Sequence, residues 1–372
     1  MAKPLEPLKT VRYDPIDITH RTDPRKGRGA VSNPAGRFAR DTRHAEAPED
    51  WDEVAPSPRT VVRDRPARSI LSHNESPDIP FSQSINPYAG CEHGCVYCYA
   101  RPSHAFYDLS PGLDFETQIF AKPNAAELLR KEFARPGYDC KFTVLGANTD
   151  PYQPIERDRG ITRELLEVMR EFKHPVGITT KSALVERDID ILAALARENL
   201  VEVFMSIGTL DAEIARTLEP RATAPYRRMQ AIERLSQAGI PTGVLVAPII
   251  PFLNDQDIEA ILSQAAAAGA RDAGYVIVRL PYEVKDLFRE WLSVHFPLKS
   301  AHIMARIQDM REGRDNDPNF GSRMRGTGEY ARLIRQRFEG AVRRCGLSTK
   351  RGVQLDCTKF SVPGRGEQLD LF

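Results

Sequence analysis

From about Phe81 onward, short apolar, β-branched runs alternate with segments whose apolar residues recur at helical spacing. The runs Phe142–Ala147, Val176–Thr180, Val201–Ile207, Thr242–Val246 and Tyr275–Leu280 read as strands. Between them, Ile161–Phe172 places Leu165, Leu166, Val168, Met169 and Phe172 on one helical face, and Arg187–Glu198 does the same with Ile189, Ile191, Leu192 and Leu195. Two further helices, Tyr226–Ala238 and Asp255–Ala268, run into Gly239 and Gly269, which suit the left-handed residue that closes a helix. Continuous apolar strands joined through helices imply a parallel sheet covered by helices, either Rossmann-type or a full or partial barrel. Chemistry in such folds gathers at the carboxyl ends of the strands, here NTDP (148–151), TKS (180–182), SIGT (206–209), APIIP (247–251) and RLP (279–281). Past Pro297 the strands stop, and Ala301–Arg311 and Glu329–Arg344 read as helices of an appended Arg-rich element.

Residues 1 to about 75 show neither period and are rich in Pro, Arg, Asp and Ser, which reads as an extended or partly disordered basic arm. The 372 residues thus divide into an arm (1–75), an α/β body (76–298), a helical element (299–346) and a tail (347–372). A 41% hydrophobic, 28% charged composition is that of a globular protein. The start lacks an apolar leader, and the most apolar run, Gly243–Leu253, is too short to span a bilayer and is broken by two prolines, so a cytoplasmic protein without a membrane span is expected. The net charge of +1 conceals two basic stretches, seven Lys and Arg against two acids between His20 and Arg43, and thirteen against six between Lys299 and Arg351. Such stretches are either solvated faces or holders of phosphate.

Six cysteines, three of them within Cys91–Cys98, suit a reducing compartment and metal binding better than a disulfide framework. The segment Asn86-Pro-Tyr-Ala-Gly-Cys91-Glu-His-Gly-Cys95-Val-Tyr-Cys98-Tyr99 spaces the thiols as C-x3-C-x2-C. Three thiolates on one tight loop can hold three irons of an Fe₄S₄ cube and leave the fourth open to a ligand. Gly90 and Gly94 permit the positive φ and close backbone approach that such a loop needs. The competing reading is a zinc site completed by His93, Cys140, Cys345 or Cys357.

The three-cysteine motif followed by an aromatic, at the head of a βα series, resembles the radical S-adenosylmethionine (SAM) superfamily. More narrowly, NPYxGCxHGCxYCYAR, TDPYQPIE, TKSxLVxRDIDIL, SIGTLD and LEPRAxxPYxRMQAIERLxxAGI resemble the DNA-repair-photolyase-like branch that includes spore photoproduct lyase, over about residues 80–300. The resemblance implies an α/β fold, a partial (β/α)6 TIM-like barrel with an N-terminal extension and a C-terminal helical element. It also implies a [4Fe-4S] cluster on Cys91, Cys95 and Cys98 that cleaves SAM to a 5′-deoxyadenosyl radical, fed by an electron donor of unknown identity. Tyr99 matches the aromatic beside the adenine, and Thr149, Lys181 and Ser206 match strand-end positions that contact SAM. An ammonium at Lys181 can pair a carboxylate, and hydroxyls at Thr149 and Ser206 can reach polar edges of the cofactor. The branch departs at one place. Spore photoproduct lyase carries a cysteine near the end of the second strand that returns hydrogen to product, and the matching position here is Ala147. The hydrogen donor and the substrate are therefore open.

The closing residues Gln368, Leu369, Asp370, Leu371 and Phe372 resemble the pentapeptide by which bacterial repair and replication proteins dock on the DNA sliding clamp. Three functions are compatible with these readings: a radical SAM enzyme acting on nucleic acid for DNA repair or modification, one acting on a peptide or small molecule, and a non-catalytic metal-stabilised nucleic-acid-binding module.

Overall fold

The computed structural model describes residues 24–38, 58–349 and 355–364. Six parallel strands, β1 (Gln83–Ile85), β2 (Thr143–Leu145), β3 (Val176–Thr180), β4 (Val201–Ser206), β5 (Thr242–Ile249) and β6 (Asp272–Ile277), lie side by side in chain order. Between consecutive strands run α1 (Ala125–Phe133), α2 (Ile161–Glu171), α3 (Ile189–Arg197), α4 (Pro225–Gln237) and α5 (Ile258–Ala267). Leu71–His73 adds an antiparallel strand outside β1. The outcome is the partial (β/α)6 barrel that the resemblance implies, open between β1 and β6.

The apolar faces read from the sequence are the ones buried. Leu165, Leu166, Val168 and Met169 of α2, and Ile191, Leu192 and Leu195 of α3, all lie in one continuous core with the strands. Gly243 in β5 lies where a Cβ would fall 2.3 Å from the Phe204 ring, so only glycine lets β4 and β5 pack at that height. β1 escapes the sequence reading because three residues, QSI, carry no period. The last strand lies three residues before its predicted place, since Val278 and Leu280 have already left the ladder for an apolar cluster with Phe288 and Trp291.

Beyond the barrel, α6 (Val284–His295), α7 (Pro297–Asp309) and α8 (Gly328–Cys345) follow. The α8 helix covers α5 and the outer edge of β6, where Arg337 grips Glu259 at 2.6 and 2.8 Å and the Phe338 ring lies 4.6 Å from Tyr275. Among the described residues no helix is long and apolar enough to cross a membrane.

Besides Leu71–His73, two stretches of the arm are built into the body. Ala30 and Val31 are fully buried, and Val61–Asp64 pairs in parallel with Gln118–Ala121, which in turn pairs with Tyr88–Ala89. Two of its basic residues are taken up there: Arg28 donates to the carbonyls of Glu116 and Pro58, and Arg37 reaches Glu283. The second basic stretch is likewise largely internal or paired. Arg306, Arg332 and Arg335 pair within their own helices, Arg323 binds Asp78, and buried Arg311 donates to the carbonyls of Val278 and Ser322.

Candidate functional site

Cys91, Cys95 and Cys98 stand on the loop that leaves Tyr88–Ala89 and crosses the carboxyl ends of the strands. The loop cannot relax elsewhere, because its backbone is held from below at every turn. Cys91 N–H donates to the Phe115 carbonyl at 2.9 Å, and Gln153, fully buried, brackets that cysteine by donating to the Gly90 carbonyl (3.1 Å) and accepting from the Glu92 amide (2.9 Å). Arg101, also fully buried, donates through Nε to the Cys95 carbonyl (2.8 Å), through Nη2 to the Gly94 carbonyl (3.0 Å) and to Glu116 (2.5 Å), and through Nη1 to the carbonyls of Pro111 and Gly112. Gly90 has φ of +82° and no room for a Cβ, which would lie 2.9 Å from the His104 and Ile119 side chains.

A second set of contacts ties the loop to the strand ends. Asp150, after β2, accepts from Thr180 Oγ1 (2.7 Å) and Lys181 N (2.7 Å) and lies 3.3 Å from His93 Nδ1. Burial would raise its carboxyl, but the His93 ring and these donors outweigh it and hold it at about 2. Tyr97 donates to Glu219, and Glu219 pairs with Arg228 at 2.5 Å. Arg228 in turn donates to the Ser206 carbonyl at 2.9 Å. Asp150, Gln153, Glu219 and Arg228 stand in the TDPYQPIE and LEPRAxxPYxRMQ segments, but only their tertiary partners reveal what they do.

The thiol environment is that of a polycation site. Burial pushes the Cys91 thiol well up, reinforced by Asp150, Cys95 and Cys98, and burial with Glu219 pushes Cys95 up to about 12 against the opposing charge of Lys181. Thiolates so placed need positive charge delivered by what they bind, and an iron–sulfur cube fits this donor set. Among the described residues no three of His, Cys, Asp or Glu converge as ligands of a single metal ion. The fourth ligands considered for zinc are engaged or distant: His93 faces Asp150, and Cys140, before β2, contacts Cys357.

The four strand-end expectations separate. Lys181 makes no ion pair or hydrogen bond through its ammonium among the described residues; its Nζ lies 5.9 Å from the Tyr97 ring centre. Burial pulls the ammonium down, but Cys95 and Glu219 more than offset it, so it stays charged. Tyr99 is 50% exposed, yet so deep that burial raises its hydroxyl to about 12, as befits the wall of a concave mouth. Its hydroxyl donates to the Ala147 carbonyl. Thr149 and Ser206 lie at the strand ends but are buried, their hydroxyls already donated to the carbonyls of Tyr88 (3.1 Å) and Ala247 (3.1 Å), so toward a ligand they can act only as acceptors. Gln368, Leu369, Leu371 and Phe372 lie outside the described residues.

The radical SAM superfamily model matches residues 85–265, from the last residue of β1 through the loop and β2 to β5. The chain belongs to the radical SAM superfamily. It is a radical SAM enzyme, and members of the family use SAM and a [4Fe-4S] cluster. A protein of Mycobacterium tuberculosis is 33% identical over 250 residues, covering 66% of this chain and 72% of its own. One from Methanocaldococcus jannaschii is 28% identical over 180 residues, 48% of this chain and 64% of that one. Among solved structures, a spore photoproduct lyase mutant with bound SAM and dinucleoside spore photoproduct shares the fold, with TM-score 0.56 and 14% identity over 80% of this radical SAM chain and 86% of that one.

Proposed function

We propose that Cys91, Cys95 and Cys98 hold a [4Fe-4S] cluster, that SAM binds beside it against Tyr99 and Lys181, and that the substrate is a nucleic acid. The observation that carries the cofactor assignment is the meeting of three thiols, two of them buried, with an ammonium that makes no hydrogen bond or ion pair among the described residues, at the carboxyl ends of parallel strands. Bound there, cluster and cofactor supply one-electron cleavage of a sulfonium and abstraction of a substrate hydrogen atom. The chain's own part is to hold and orient: Arg101 and Gln153 fix the loop backbone, Lys181 pairs the methionine carboxylate, the open face of Tyr99 lies against the adenine, and Thr149 and Ser206 accept from polar hydrogens. Nucleic acid as substrate is supported by the fold shared with a lyase solved with a dinucleoside photoproduct and by Arg279, whose Nε has no hydrogen-bond partner beside Tyr99. Direct thymine-lesion repair through a thiol at the second strand end is not proposed, because that place holds Ala147, whose carbonyl accepts from Tyr99.

Anaerobic incubation with SAM, dithionite and candidate nucleic acids, followed by mass spectrometry, tests the reading; 5′-deoxyadenosine without any change to nucleic acid would leave only the cofactor half standing. Lys181→Ala is expected to keep the cluster and to weaken SAM binding about tenfold or more, as loss of a charge-assisted hydrogen bond worth about 1.5–3 kcal/mol predicts. SAM titration of the reduced protein followed by EPR measures this, and an unchanged affinity removes Lys181 from the site.

The tail extends the nucleic-acid reading. Gln368, Leu369, Leu371 and Phe372 are proposed to dock on a bacterial sliding clamp, with the two terminal apolar side chains in a groove. A peptide spanning Gly364–Phe372 is expected to bind the clamp with a dissociation constant on the order of micromolar, and Phe372→Ala to cost about 2 kcal/mol. Calorimetry showing no heat of binding at high micromolar peptide removes the clamp from the account.

A further inference from the structure

The chain after β6 presents a second cation that the cofactor does not account for. Arg279 lies two residues past the end of β6, half-buried, with its guanidinium carbon 5.9 Å from the Tyr99 ring centre. Its Nε is buried with no hydrogen-bond partner, and no ion pair reaches its guanidinium among the described residues. A guanidinium carries five donors and is always charged, so leaving it half-buried and unmatched beside an active-site aromatic costs stability unless a ligand supplies the acceptors.

The acids nearby are already engaged. Asp78 holds Arg323 with both oxygens, at 2.5 and 2.6 Å, and Asp317 accepts from Ser322 Oγ (2.5 Å) and Asn319 N (2.9 Å). Arg311 adds a further positive charge and is satisfied only by carbonyls. Burial and the neighbouring Arg323 work against the charged form of Arg279, and Tyr99, Asp78 and Asp317 offset them only in part. Lys181 stands at a different strand end, following β3, three strands away along the sheet, with its Nζ 5.9 Å from the Tyr97 ring centre; both cations act on the Tyr99 hydroxyl. Three strand spacings are about 14 Å.

We propose that Arg279 is a substrate-binding residue that takes a backbone phosphodiester of the nucleic acid through its planar fork, seating the strand beside Tyr99 and over the cofactor that the ring holds. This rests on the nucleic-acid reading above. The fork matches two phosphate oxygens at once, and a phosphate contact positions a strand without reading its sequence. Arg279 thereby sets which nucleotide lies over the cofactor, while the base contacts that select it come from elsewhere.

The test uses full-length protein, anaerobically reconstituted with its cluster and with SAM present, as wild type, Arg279→Gln and Arg279→Lys. Each is titrated by fluorescence anisotropy with a fluorescein-labelled single-stranded DNA across a range of salt, and with the same sequence on an uncharged methylphosphonate backbone. Arg279→Gln is expected to bind DNA about tenfold more weakly. Its log–log salt slope should be shallower by about 0.7, one phosphate contact on a single strand. Arg279→Lys should fall between, keeping the charge but losing the fork, and the methylphosphonate strand should not distinguish the three proteins. Equal affinity and slope in wild type and Arg279→Gln overturns the assignment while the nucleic-acid reading stands. If wild type itself binds no DNA, both fall together. A loss of SAM affinity in Arg279→Gln, with DNA binding unchanged, assigns the guanidinium to the cofactor carboxylate and overturns it too.

Discussion

Cys95→Ala is expected to yield protein that cannot be reconstituted with a [4Fe-4S] cluster and produces no 5′-deoxyadenosine from SAM. Cys95 is buried, its carbonyl is held by Arg101, and its amide lies one residue before Val96 N–H, which donates to Leu218, so no other thiol can move into its place. A cube held by two thiolates is labile, and its open iron is no longer unique. Cys345→Ala and Cys357→Ala should retain the cluster, since Cys345 packs against the barrel core and Cys357 contacts Cys140 rather than the loop. Absorbance of anaerobically reconstituted protein in the iron–sulfur charge-transfer region reads both results. Intact absorbance in Cys95→Ala would sink the ligand assignment, and loss of metal in either control would bring a remote cysteine into the site.

The second large effect is on the fold itself. Arg101→Ala is expected to destabilise the protein by about 3–5 kcal/mol, because it removes a fully buried guanidinium and leaves the equally buried Glu116 carboxylate without its counter-ion. Glu116 still accepts from the amides of Gly29 (3.0 Å) and Ala30 (2.8 Å), which softens the loss but does not neutralise the charge. The carbonyls of Gly94, Cys95, Pro111 and Gly112 lose their donor at the same time, so cluster retention should fall with stability. Urea unfolding of the apo protein measures the first effect as a lower midpoint at unchanged slope. An Arg101→Met/Glu116→Leu pair should recover part of the loss, because the unpaired carboxylate is gone and buried Arg28 keeps its carbonyl acceptors and the charge of Glu92. A single variant within 1 kcal/mol of wild type contradicts this account of what holds the loop.

The βα series and the three thiols were legible because each is encoded by local spacing. Continuous apolar runs separated by amphipathic segments of the right length leave a parallel, helix-covered sheet as the way to bury both. C-x3-C-x2-C places three thiols on one loop whatever the rest of the chain does. The support beneath that loop is a matter of long-range approach: Gln153 meets Gly90 and Glu92 across some sixty residues of chain, and Glu219 meets Tyr97 across more than a hundred. No local pattern distinguishes a glutamine that brackets a ligand from one on a surface turn. The same limit governs Thr149, Ser206 and Arg279. Residue type and strand-end position bring all three to the mouth, but only packing decides that the two hydroxyls are taken up by neighbouring carbonyls while the guanidinium Nε finds no hydrogen-bond partner among the described residues, because hydrogen-bond satisfaction is a property of the neighbours a side chain acquires on folding.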